Sequence, residues 1–354
     1  MIKNLITGPG FVASHMADLL LKKGEEVHIT YRWTDNQDSF AHIKDKVIWH
    51  LMDLNDLSSC LKVIEDVRPE YIFHLGAQSY VPASFDYPAE TLRTNIIGTY
   101  NLLEAVRIVR DRTGKDIFPH SLEKRGFIYN PVIHVCSSSE VYGLVTEDLV
   151  PITEECRFNP SNPYAVGKVG EDMVALMYYT NYRLKTIRTR MFTHTGLRRT
   201  MLSAEVAFAK QIAEFEKMDK ELKDLHGEDW EVDGDNIEYI LRHGNLDSVR
   251  TWADVRDAAK AYYTLVRKGT PGEVYNIGGD FSCTIGEMLD HLISLSPLKD
   301  KIKKEEDPAL LRPYDVTLQI PDCSKFKRDC PEWEPSTLFT ITMEDLLNWW
   351  RENI

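Results

Sequence analysis

Short apolar runs alternate with amphipathic stretches along the first half of the chain. KNLIT, EVHITY, YIFHLG and PVIHVCSS read as strands, and SHMADLLLKKG, DLSSCLKVIEDV and TLRTNIIGTYNLLEAVRIVRDR between them as helices. Such an alternation predicts an α/β architecture, a doubly wound parallel sheet covered on both faces. PYAVGKVGEDMVALMYYTNY and KTIRTRMF continue it, after which the pattern loosens and a smaller C-terminal lobe is expected to start near Phe192. VRTWADVRDAAKAYYTLVRK and EVYNIGG read as a helix and strand that return to the first domain. The expected division is therefore 1–191 with a return segment of about 245–282 in the first domain, and 192–244 with 283–354 in the lobe. A charged stretch after Gln211 reads as the solvated end of a helix begun near Ser203. TIGEMLDHLISLS and TMEDLLNWWREN read as capped helices, the second from Thr342 with Asp345 three residues on.

Composition narrows the function. A net charge of -13 over 354 residues argues against a binder of nucleic-acid backbones. Six cysteines without a C-x-x-C pair indicate neither a zinc site nor a disulfide framework, and no metal is expected. No apolar run approaches the ~18 residues of a spanning helix, and MIKNLITG reads as a strand rather than a signal peptide. A cytoplasmic protein without membrane or nucleic-acid partners is expected.

Candidate chemistry sits at strand ends. In LITGPGFVASHMADLLLKKG, Gly8, Gly10 and Ala13 join the first strand to the first helix, where glycines let a pyrophosphate approach free N–H groups. EVHITY ends at Arg32, and a basic residue there favours NADP over NAD because it accepts a 2′-phosphate. Asp53 could meet an adenine amino group or serve as a helix N-terminal acid. Further on, HVCSSSEVYG places Ser138 and Glu140 at a strand end, and NPYAVGK sets Tyr164 and Lys168 four apart on one helix face. A lysine beside a tyrosine lowers the phenol's pKa, so tyrosinate can take an alcohol proton while hydride leaves.

In this order, these motifs resemble the extended short-chain dehydrogenase/reductase family, with its Rossmann domain, and within it the GDP-mannose 4,6-dehydratases. The likeness extends through HLGAQSYVPASFDYPAETLRTNIIGTYNLLEA, HTGLRR, GNLDSVRTWADVRDAAKAYY and LRPYDVTLQIPDCSKF. It implies a GDP-sugar substrate, NADP, and a homodimer or homotetramer. Catalysis would fall to Ser138, Glu140, Tyr164 and Lys168. The cofactor would be held by Gly8, Gly10, Phe11, Val12, Arg32, Asp53, Leu54, Leu75, Gly76 and Ala77 with Tyr164 and Lys168. Gln78, Ser79, Asn95 and His194 would line the sugar cleft, and Arg199, Asn245, Arg250 and Arg312 the nucleotide side. The glycine loop is one residue shorter than the family's usual T-G-x-x-G-x-x-G and carries Pro9, and Thr193 stands where the family has asparagine. The resemblance makes Glu140 a base: a ketone at C4 of the sugar acidifies the C5 hydrogen, which a nearby carboxylate can remove. Competing expectations are an NADPH-dependent 4-keto-6-deoxy-sugar reductase, an epimerase or decarboxylase of nucleotide sugars, and a non-catalytic NADP-binding protein.

Overall fold

The computed structural model describes residues 1–113, 129–199, 203–227, 237–311 and 316–354. Strands β1 (Lys3–Thr7), β2 (Glu26–Tyr31), β3 (Ile48–Leu51), β4 (Tyr71–His74), β5 (Val132–Ser138) and β6 (Lys185–Met191) pair in parallel. After β7 (His194–Thr195), β8 (Tyr239–His243) and β9 (Val249–Asp254), strand β10 (Val274–Ile277) joins the edge of β6, and the order is β10-β6-β5-β4-β1-β2-β3. Apart from the edge strand β3, these strands are mostly buried because helices cover both faces, and the polar side chains of β6 are buried with the rest. On one face α1 (Phe11–Lys22) packs, and on the other α2 (Leu57–Val67). Beyond the short helices α3 (Val81–Asp86) and α4 (Pro88–Leu92), α5 (Gly98–Thr113) and α6 (Pro163–Tyr182) complete the second layer. The long helix α7 (Ala204–His226) opens the lobe, and α8 (Val255–Lys268) returns to lie beside α1.

The order reverses between β1 and β4, both of which neighbour each other while their successors run to opposite edges. Ligands bind such sheets in the crevice at that switch point, beyond the carboxyl ends of the strands. The glycine loop, Arg32, Asp53, the Gly76 loop and Ser138 with Glu140 lie at those ends.

The lobe is built on β9, flanked by β7, β11 (Phe281–Thr284) and β13 (Leu318–Gln319), with β8 paired to β12 (Ile302–Glu306). Helices α7, α9 (Ile285–Ser294) and, after α10 (Ser324–Asp329), α11 (Phe339–Asn353) enclose its core around Trp252, Met288, Leu346 and Trp350. Two expectations are corrected here. The stretch VRTWAD is strand β9 and not the start of a helix: pairing partners on both sides outweigh its helical spacing, and Asp254 caps α8 by accepting from Arg256 N (2.7 Å). The last helix begins at Phe339, so Thr342 is inside it, where its buried hydroxyl donates to Asp254 Oδ2 (2.9 Å). No helix among the described residues is long and apolar enough to cross a membrane.

Candidate active site

The crevice floor is made by close backbone approach. Gly8 has φ +78°, and a Cβ there would lie 3.1 Å from Gly76 Cα. A Cβ at Gly76 would in turn press on Leu54 and on Thr7 Oγ1. Thr7 Oγ1 holds the facing loop by accepting from Leu75 N (3.0 Å) and Gly76 N (2.9 Å). The N-cap of α1 is Gly10, with no side-chain cap and no acidic residue in the first turn. Its orphan N–H groups and helix dipole are thus kept for an anion. A dinucleotide pyrophosphate fits this cradle, even with the shortened loop.

Arg32 follows β2 as expected, about half exposed, and its guanidinium is paired with Asp35 (Nη2 to Oδ1 2.9 Å, Nε to Oδ1 3.0 Å). Asp53 is exposed after β3 and accepts from Asn55 N (2.9 Å). The acid that caps α2 is Asp56, not Asp53.

The central constellation rests on how α6 docks. A Cβ at Gly170 would collide with the Ile96 side chain (2.5 Å) and one at Gly167 would press on Asn95 (3.1 Å), so with glycine at both positions the helix sits close over the segment 93–97. That docking brings Tyr164 and Lys168 beneath the end of β5, where Ser138 and Glu140 lie. Ser138 caps the turn Ser139–Tyr142 by accepting from Glu140 N (3.2 Å). Burial pushes the Tyr164 phenol above its ordinary value, while the Lys168 charge and the Ser138 hydroxyl pull it back. A tyrosinate therefore needs that lysine charged.

Glu140 is oriented by two amides that the sequence did not flag. Asn162 Nδ2 donates to Oε2 (3.2 Å) and Gln319 Nε2 to Oε1 (3.4 Å), with Gln319 itself accepting from Ser139 Oγ (3.1 Å). Asn162 also caps α6 by accepting from Ala165 N (2.8 Å). Asn before Pro at a helix start is a cap signature, so this partner was findable. Gln319 lies 179 positions from Glu140 and carries no local signal. A third unflagged group is Glu171, paired with Lys168 at 2.7 Å.

Other expected residues divide. Asn95, expected along the cleft, is fully buried and clamps the backbone of Gln78, accepting from Gln78 N (2.8 Å) and donating to its carbonyl (3.1 Å). Gln78 turns its own side chain onto Tyr80 and Thr91, and Ser79 is exposed beside it. His194 stacks on Phe11 (6.1 Å between ring centroids), which joins the lobe to the glycine loop. Burial and the nearby Arg199 lower its pKa to about 4. Arg199 is engaged by Glu205 (3.1 Å), by Ser203 Oγ (2.9 Å) and by the carbonyl of His194. Arg250 stands in register beside Gln319, and Asn245 bonds Ser248 Oγ (3.0 Å). Arg312 lies outside the described residues. Among the described residues no three His, Cys, Asp or Glu side chains cluster as a metal site would need.

Comparison with known proteins bears directly on this arrangement. The family model described as GDP-mannose 4,6 dehydratase matches residues 5–240 and 232–346. The chain belongs to that family. It is similar to the GDP-mannose 4,6-dehydratase of Yersinia enterocolitica, at 27% identity over 98% of this chain and 92% of the relative. It is also similar to the GDP-6-deoxy-D-mannose reductase of Pseudomonas aeruginosa, at 28% identity over 81% and 82%. Among solved structures, the dTDP-glucose 4,6-dehydratase DesIV of Streptomyces venezuelae, with NAD and TYD bound, superposes with a TM-score of 0.75 at 23% identity, covering 99% of this chain and 98% of that one. That likeness speaks for the fold. Family membership places the chain among extended short-chain dehydrogenase/reductase proteins, and its seven-stranded parallel sheet is the Rossmann-like fold that this implies.

Proposed function

We propose that the protein is a nucleotide-sugar 4,6-dehydratase acting on GDP-mannose or a related GDP-sugar, with NADP retained through the cycle. The observation that carries this reading is Glu140, a carboxylate held by two amide donors at the same strand end as Ser138, Tyr164 and Lys168. Oxidation of an alcohol needs only the last three. A carboxylate aimed into the same space suits a second proton transfer.

A nicotinamide cofactor whose pyrophosphate Gly8, Gly10 and the N-terminus of α1 would hold would supply the hydride acceptor for the sugar's C4 and the hydride donor for C6. Tyr164 takes the 4-hydroxyl proton, Ser138 holds that hydroxyl, and Lys168 keeps the phenol ionisable. Glu140 removes the C5 proton, acidified by the C4 ketone, and the 6-hydroxyl leaves with a proton as water; when hydride returns to C6, a proton from solvent is added at C5. Arg32 would meet the 2′-phosphate, Asp53 the adenine, and Leu54, Leu75, Gly76, Ala77, Phe11 and Val12 the remaining walls. His194, Gln78 and Ser79 would border the sugar, and Asn245, Arg250 and Arg312 the diphosphate, which suits bidentate guanidinium donors.

The test is incubation with GDP-mannose deuterated at C4. A dehydratase yields a product lighter by one water, with the label at C6, and heavy water adds deuterium at C5 without net consumption of NADPH. E140Q should bind cofactor and sugar yet release no water. The second reading, a 4-keto-6-deoxy-sugar reductase, is favoured by the similarity to the Pseudomonas reductase. Unchanged GDP-hexoses together with stoichiometric oxidation of NADPH by a 4-keto-6-deoxy sugar would establish it and overturn the first.

A further inference from the structure

Lys168 and Glu171 form a buried ion pair below Tyr164, their side chains 5% and 1% exposed. Two of the ammonium's three protons are already directed, one to Cys136 O (2.7 Å) and one to Glu171 Oε2 (2.7 Å), which leaves a single donor for a ligand. Asp172, next along the helix, is neutralised elsewhere by Arg188 (2.7 Å) and Arg190 (2.9 Å). From β4 and β5 the lysine faces His74 and His134, both fully sheltered and held neutral by burial. Cys136 on β5 and Tyr164 complete its surroundings, with Tyr262 on α8 in contact with Cys136 (3.5 Å), and Glu140 acts on Tyr164 from the strand end. Among the described residues, Glu171 is thus the carboxylate in contact with this ammonium.

We propose that Glu171 is a positioning residue, whose carboxylate keeps Lys168 charged and aimed so that Tyr164 can ionise. The inference rests on the reading of Tyr164 and Lys168 as the oxidation pair. Its physical basis is desolvation: a lysine buried without a partner loses up to about 3–5 pKa units, enough to become neutral in the mildly alkaline range. Here burial does pull Lys168 down, but Glu171, with Tyr164 and Cys136, more than reverses it, and the net shift is upward. A neutral lysine would lose its hold on the phenol, which burial has already raised.

The experiment compares wild type, E171Q and E171D at pH 7.5 and 9.5. In wild type, the folded-state pKa of Lys168 lies above its unfolded value, so its contribution to stability is flat across this window. In E171Q it drops below the unfolded value, the unfolded chain binds the extra proton, and stability rises with pH. The gap in melting midpoint between wild type and E171Q should therefore narrow by half or more from pH 7.5 to 9.5. Over the same range, C4 oxidation by E171Q, followed as reduced nicotinamide in a single turnover, should fall tenfold or more relative to wild type. E171D keeps the charge, so its melting gap should stay flat; that variant decides the matter if E171Q does not fold. A pH-independent gap for E171Q, a narrowing gap for E171D, or a constant oxidation ratio would overturn the proposal. If wild type never oxidises C4, the dehydratase reading fails while the melting arm still decides the role of Glu171.

Discussion

Asn162 holds two geometries at once. Its side-chain oxygen caps the helix that carries Tyr164 and Lys168, and its amide nitrogen steadies Glu140, so one side chain sets the distance between that pair and the carboxylate proposed as the base. N162A should cost about 1 kcal/mol of stability for the lost cap and should also slow water release, because Glu140 keeps only the longer bond to Gln319. N162D separates the two duties. Aspartate caps as well as asparagine, so the melting midpoint should recover, while a second carboxylate beside Glu140 repels it and elimination stays slow. Full recovery of turnover in N162D, measured as product formation at saturating substrate, would show that the amide donor is not needed.

At the scale of elements, the loop between β5 and α6 depends on a backbone contact that only glycine permits. Gly143 has φ +58°, and a Cβ there would collide with the Asn159 carbonyl, whose amide is bonded to Val141 O (2.9 Å). G143A should therefore lower the melting midpoint by the equivalent of at least ~1–3 kcal/mol, whereas G10A, with ordinary φ and open space around it, trades a weaker cap against a less flexible unfolded chain and should change stability by well under about 1 kcal/mol. Equal midpoints for the two variants would refute the steric argument. Local pattern made much of this scaffold legible. The parallel strands announce themselves as apolar runs, and the Gly8 loop and the Tyr164–Lys168 spacing follow from neighbours in sequence. What escaped is what distant segments decide. VRTWAD carries helical spacing but lies between β7, β11 and β13, and Thr342 resembles a cap but points at Asp254. Gln319 reaches Glu140 only because β13 pairs with β9. Glu171 and Lys168 are three apart, a spacing common on solvated helices, and nothing local says that this pair is buried.

Across the whole molecule, buried histidines link stability to pH. His15 on α1 joins the two domains: its Nε2 faces the Leu197 carbonyl (2.8 Å) and its Nδ1 faces Arg198 (2.7 Å), which also pairs with Asp18 (2.7 Å). A guanidinium can only donate, so Nδ1 must accept and the ring must be neutral. Burial first, and Arg198 second, lower its pKa to about 4. His74 and His134 are pushed down to about 3, chiefly by burial, with the Lys168 charge adding to the effect. For each, the unfolded chain binds a proton below pH 6.5 that the folded chain refuses, so stability falls as pH drops from 6.5 towards 4 or 3 and is constant above. By pH 5 each histidine costs roughly 2 kcal/mol. Glu171, raised by burial, works in the opposite sense in part of this window. The urea midpoint should therefore fall clearly between pH 7 and pH 5, before most carboxylates titrate. H15Q should shed one histidine's share of that slope. An equal midpoint at both pH values, or an undiminished slope in H15Q, would mean that these rings are protonated in the fold, and the neutral contact between His15 and Arg198 across the two domains would have to be abandoned.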